Sequence, residues 1–157
     1  MNYNVIPIGR SREENGTFLI EVYPQYHAAM KGLDEHQYLQ VLWWFDRSDN
    51  EISRNKLIEN KPYKKGPDVL GNFATRSPER PNPIAVTNVF VLDIDAENGI
   101  IRVPYFDAFP ETPILDIKPY MPSVDRVENI RVPEWCGDWP KSVETSGEFD
   151  WSAVFNF

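Results

Sequence analysis

Apolar and polar residues alternate over short stretches of this chain, and few stretches hold a helical period. Residues 84–94 give the clearest case: Ile84, Val86, Phe90, Leu92 and Ile94 fall on one side of a two-residue alternation broken only at Asn88. Glu97-Asn98-Gly99 then marks a tight turn, because Asn and Gly tolerate positive φ, and residues 100–103 return as the second arm of a hairpin. Residues 5–8 and 17–22 predict short strands, with Asn15-Gly16 a turn between the flanking segments. Residues 26–33 predict a brief helix ending near Gly32. Residues 38–45, Tyr-Leu-Gln-Val-Leu-Trp-Trp-Phe, are almost continuously apolar and predict a buried strand, closed by a polar break over 46–50. Residues 114–117 predict a further strand between Pro113 and Pro119. Many short strands separated by turns predict a mostly β fold in a single domain with short helices, its strands forming a barrel or closed sheet.

Composition adds bounds to that picture. Fourteen prolines among 157 residues leave little room for long helices. The tail from Val132 carries Trp135, Trp139, Trp151, Phe155 and Phe157, too much aromatic surface to leave in water, so it is expected to dock on the body or on a second subunit. The length fits one domain over 1–157, with no internal repeat and no persuasive boundary. No apolar run approaches a membrane span and the N-terminus lacks a signal-peptide pattern, so the cytoplasm is the expected location. Cys136 is the single cysteine, which excludes an intramolecular disulfide framework and a thiolate metal cluster. His27 and His36 are isolated, and no metal is expected.

Net charge of -8 and pI near 4.8 argue against sequence-independent nucleic-acid binding. The charge is uneven: residues 61–82 hold Lys61, Lys64, Lys65, Arg76 and Arg80 against Asp68 and Glu79. Within that stretch lies Phe-Ala-Thr-Arg-Ser-Pro-Glu-Arg-Pro-Asn-Pro, residues 73–83, expected to be the functional centre. Its prolines fix φ and restrict their neighbours, so the loop loses little entropy on ordering. Arg76 and Arg80 could then grip a carboxylate or phosphate in bidentate geometry, and Asn82 could orient a polar ligand. The same residues also suit a stiffened connection whose arginines pair with acids elsewhere. A second group is Asp107 with Pro113-Ile-Leu-Asp-Ile-Lys-Pro-Tyr120, where Asp116 and Lys118 share a strand face, the usual setting of a structural ion pair. No glycine-rich nucleotide fingerprint and no nucleophile elbow is present.

Taken together, these segments resemble the TrmO (TsaA-like, or YaeB-like) family. Its members carry Phe-Ala-Thr-Arg-Ser-Pro-x-Arg-Pro-Asn-Pro-Ile, read here at 73–84, and Asp-Gly-Thr-Pro-Val-Leu-Asp-Ile-Lys-Pro-Tyr, read here at 110–120. Leu33 with Leu42-Trp43 and Phe45 resembles an upstream family stretch, and the likeness runs over roughly 32–125. The resemblance implies a TsaA-like β-barrel, a homodimer and S-adenosylmethionine as cofactor. It also implies methylation of the exocyclic amine of threonylcarbamoyl-adenosine 37 in tRNA. Cofactor contacts carried over by position are Phe45, Asp46, Arg76, Val86, Tyr105, Phe106, Asp107 and Ala108. The expected substrate side is Arg80, Asn82, Lys118 and Tyr120, and Asp107, Asp116 or a backbone carbonyl could polarise the acceptor amine. The chain departs from the pattern in three places. The early Pro-Arg-Gln element is absent, Pro110-Glu111 replaces Asp-Gly, and the histidine of Ser-His-Leu-Trp is gone. The longer members' C-terminal domain is also not expected here. A methyltransferase acting on a small molecule, and a non-enzymatic S-adenosylmethionine-binding module, are the competing readings.

Overall fold

In the computed structural model, which describes residues 3–156, Asn15 and Gly16 sit at φ 52° and 77°, the left-handed pair that a two-residue hairpin turn demands. The turn joins β1 (Gly9–Glu14) to β2 (Thr17–Val22) in strict antiparallel register, Glu14 opposite Thr17 and Gly9 opposite Val22. The first strand therefore falls at 9–14 rather than the expected 5–8. Val5 and Ile6 are exposed, while polar Ser11 is buried, its hydroxyl donating to the Phe109 carbonyl at 2.5 Å and accepting from the Thr112 amide at 3.0 Å. Gly9 opens β1 because the chains press together there: a Cβ at Gly9 would lie 2.2 Å from the Glu21 carbonyl oxygen.

The remaining strands are β3 (Tyr38–Trp44), β4 (Ile58–Asn60), β5 (Val69–Gly71), β6 (Ile84–Phe90), β7 (Asp93–Asp95), β8 (Ile100–Val103) and β9 (Pro113–Pro119). Seven form one antiparallel sheet in the order β6-β3-β9-β1-β2-β8-β7. The expected mostly β fold is present. A closed barrel is not completed by hydrogen bonds among the described residues, since β6 and β7 share no ladder. The reason is in the chain path: the Val91 amide donates to Gln37 O and the next amide, Leu92, donates to Arg102 O. Two residues carry the chain from one sheet edge to the other, leaving no length for the edges to pair.

β3 alternates as a central strand, with Leu39, Val41 and Trp43 buried. Its partner β6 buries Ala85 and Val89, so the large alternating set, Ile84, Val86 and Phe90, faces away from the core. Trp43 explains the parity. It stands opposite Ala85 and donates its indole N–H to Thr87 Oγ1 at 3.0 Å, so small and hydroxyl side chains fill the inner face. Ile20, Ile101, Val103, Phe106 and Ile114 complete this core, each burial contributing roughly 1.5–3 kcal/mol. The expected helix over 26–33 is two 3-10 turns, Pro24–Met30 and Leu33–Glu35, divided at left-handed Gly32.

Contacts divide the described chain into two units, 3–47 with 83–125, and 48–82 with 126–156. Each is assembled from two separated stretches, which is why no composition shift marks a boundary. The second unit holds the β4–β5 hairpin, the short helix Glu51–Asn55 capped by Asn50, and the aromatic tail. Trp135 stacks on Tyr63 at 4.9 Å between centroids, Trp139 meets both edge-on, and Phe155 packs against Tyr63 and Trp151. The expected docking of the tail is seen for these residues; Phe157 lies outside the described residues.

Candidate functional site

In the first unit the candidates gather where β3 ends. Phe45 donates its amide to Pro83 O at 2.8 Å and sets its ring edge-on against Trp43 at 4.6 Å, and Trp43 in turn packs on Phe106 at 5.7 Å. Phe106 is only 2% exposed, so its ring supports this aromatic ledge from inside the core. Asp46, the next residue, turns outward at the start of the 3-10 turn Asp46–Ser48. The hydroxyl of buried Thr112 donates to Asp46 Oδ1 at 3.4 Å, and Thr112 is itself held by Ser11. Arg47 lies 3.6 Å over the Phe109 ring, a cation–π contact that nothing in the sequence announces.

Tyr105 to Ala108 follow β8. Tyr105 is 61% exposed, and its phenol donates to Asp107 Oδ1 at 3.1 Å. Partial desolvation, and then the Asp107 charge, raise the phenol above its ordinary value, so it stays a proton donor. Ala108 packs against the core, and Val86 stands opposite Leu42 in the β3–β6 ladder. On β9, Lys118 and Asp116 form the ion pair that their spacing predicts, at 2.5 Å. Tyr120 donates its amide to Tyr38 O, continuing that strand pairing.

In the second unit the 73–82 loop is braced by its own hydroxyls. Thr75 Oγ1 donates to Asn72 O and accepts from the Ser77 amide, and Ser77 Oγ accepts from the Glu79 amide. Glu79 pairs with Lys56, and Arg54 donates to Pro81 O. Arg80 turns inward: its Nη1 donates to Ser77 O at 3.2 Å, so this arginine also serves the connection. Arg76 and Asn82 are exposed. Two buried acceptors at the loop's base, Glu59 Oε1 and Asn72 Oδ1, have no partner within hydrogen-bond geometry among the described residues. Burial opposes ionisation of Glu59, but Lys56 at 2.9 Å and the nearby Ser77 hydroxyl outweigh it and hold the carboxyl below its ordinary value. The basic run is largely spent internally: Lys61 pairs with Asp68, Lys65 with Asp138, and Lys64 donates to Ser152 O.

Among the described residues no three His, Cys, Asp or Glu side chains converge as a metal site, and no helix is long and apolar enough to cross a membrane.

Comparison with known proteins matches residues 2–126 to the tRNA-methyltransferase O N-terminal domain. An Archaeoglobus fulgidus protein named "Probable S-adenosyl-L-methionine-binding protein" is 36% identical over 124 residues, 79% of this chain and 31% of that one. A Pyrococcus abyssi protein of the same description is 33% identical over 127 residues, 81% of this chain and 65% of that one. The crystal structure of TrmO from P. aeruginosa superposes with a TM-score of 0.65 at 26% identity, covering 85% of this chain and 62% of that one. The chain thus spans from about a third to just under two thirds of the length of these three proteins.

Proposed function

Because this chain belongs to the tRNA-methyltransferase O N-terminal domain family, we propose that it is an S-adenosylmethionine-dependent methyltransferase acting on the exocyclic amine of threonylcarbamoyl-adenosine 37 in tRNA. The similar proteins described as S-adenosyl-L-methionine-binding support the cofactor. The observation that carries the reading is the end of β3, an aromatic ledge ending in an outward carboxylate that the buried Thr112 hydroxyl holds in place. Such a ledge suits a purine face, and such a carboxylate suits ribose hydroxyls.

When bound, the cofactor supplies a methyl group activated on a sulfonium. Phe45, backed by Trp43 and through it by Phe106, is proposed with Val86 and Ala108 as the apolar contacts of the cofactor. Asp46 and Asp107 accept hydrogen bonds, and Tyr105, kept protonated, donates one. Arg76 suits the cofactor's carboxylate by charge and geometry. Arg80, Asn82, Lys118 and Tyr120 are the proposed substrate contacts, with Asp107, Asp116 or a backbone carbonyl accepting a hydrogen bond from the acceptor amine. An anticodon loop presents its bases outside a duplex, so no base pairs have to be opened to reach the acceptor. The homodimer, the cytoplasmic location, the single domain, and closure of the sheet into a barrel through the continuous 84–95 segment belong to the same proposal.

Incubation with S-adenosylmethionine and total tRNA, followed by nucleoside mass spectrometry, tests it. Methylated threonylcarbamoyl-adenosine is expected, and Arg76→Ala should lose it along with calorimetric cofactor binding. Binding without any tRNA product would sink the tRNA assignment. Methyl transfer to a metabolite extract instead would establish the small-molecule reading, which the net charge of -8 and the internally paired lysines favour.

A further inference from the structure

The chain beyond residue 126 lies outside the family match and builds a cavity of about 270 Å³ against Tyr63. Its walls are the rings of Tyr63, Trp135, Trp139 and Phe149, and its charged lining is Lys65, Asp138 and Asp150. The rings are fixed by one another: Trp135 stacks on Tyr63, Trp139 stands edge-on to both, and Trp151 braces Trp139 and Phe149 from behind. Lys65 is taken by Asp138 at 2.8 Å, which leaves Asp150 as the second carboxylate. Asp150 is oriented by the Ser152 amide at 3.1 Å and hydroxyl at 2.6 Å, and these bonds hold it below its ordinary value. Lys64, bonded to Ser152 O, acts on Asp150 from outside the lining.

We propose that this cavity binds a small organic cation with a methylated ammonium head, unrelated to the cofactor. Electron-rich ring faces attract a cation, and a second carboxylate on the lining adds to that attraction. The apolar walls select among cations. A primary ammonium or a metal ion would have to shed tightly held water, whereas a methylated ammonium is weakly hydrated and sheds little. The volume admits such a head with a short tail, so the ligand is a free small molecule. This inference does not rest on the methyltransferase reading.

Tryptophan fluorescence titration with choline tests it, with 3,3-dimethyl-1-butanol as the neutral analogue of equal shape. Choline should bind saturably at millimolar concentration and about tenfold more tightly than the neutral analogue. Asp150→Asn keeps the acceptor that caps Ser152, so it should fold normally, weaken choline about threefold and leave the neutral analogue unchanged. Trp139→Phe keeps a ring and should weaken both. Equal affinity for choline and its analogue would overturn the cation assignment. So would the absence of saturable binding to a protein with an unchanged circular dichroism spectrum. Co-sedimentation with phosphatidylcholine vesicles would overturn the choice of a free ligand.

Discussion

Glu111 sits at φ 72°, a left-handed conformation in which a side chain crowds the backbone. It is the third residue of a turn closed by the Thr112 amide on Phe109 O, and Pro110 precedes it. Proline followed by positive φ is the pattern of a type II turn, which favours glycine at the third position. The family pattern has Asp-Gly where this chain has Pro110-Glu111, and the geometry explains the glycine. Here the strained residue is held by its amide on Ser11 O and by an exposed ion pair with Arg10. Left-handed strain costs about 1–2 kcal/mol, and glycine's extra chain entropy returns roughly 0.5–1 kcal/mol of that. Arg10 keeps Glu21 as a partner at 2.7 Å. Glu111→Gly should therefore raise the thermal midpoint by roughly 2 °C, read by circular dichroism, and a fall would mean that the Arg10 contact outweighs the strain.

Among the elements, those legible in the sequence announce themselves by turns and side-chain volume. Asn15-Gly16 and β2 lie where the pattern puts them, and β8 returns after Glu97-Asn98-Gly99 as expected, although it pairs with Asp93–Asp95 and not with the whole 84–94 alternation. β1 lies at 9–14 and not at the apolar 5–8 because its inward positions are Gly9 and Ser11, suited to close approach and hydrogen bonding, which no hydrophobic pattern registers. β6 forms where the alternation predicts a strand, but Ile84, Val86 and Phe90 face outward because Trp43 occupies the space beneath it. Of the candidate site, the 73–83 motif was readable and its internal wiring was not. Arg80 Nη1 donates to Ser77 O within the loop, and the Lys56–Glu79 pair joins residues 23 apart. That wiring is testable. Glu79→Gln removes the charge that holds Lys56, while Lys56 retains Glu59. Hydrogen exchange should then speed up about tenfold across 73–82 and stay unchanged in β2, β3 and β8. Protection lost equally in those strands would show that the pair supports the whole fold instead of one loop.

For the molecule as a whole, net charge of -8 and the ion-paired carboxylates pull in opposite directions as pH falls. Protonation relieves self-repulsion, but exposed charges more than about 8 Å apart are largely screened at physiological salt. Close pairs are screened less. Glu21 is lowered chiefly by its hydrogen bond from Arg10, against some desolvation, and Asp95, Asp138 and Asp150 are lowered by Asn98, Lys65 and Ser152 respectively. Glu59 is lowered despite burial by Lys56. A carboxyl depressed in the folded state contributes its full stability above its unfolded value and loses it as pH drops through the folded one. For Glu21 and Glu59 the window thus opens near 4.5 and extends below it. The thermal midpoint should stay level or rise slightly from pH ~7 to ~5 as repulsion eases, then fall steadily below ~4.5. Glu21→Gln should lower the neutral-pH midpoint and flatten the acid limb, because Arg10 then has less to lose. A midpoint that keeps rising to pH ~3.5 would mean that self-repulsion outweighs the pairs.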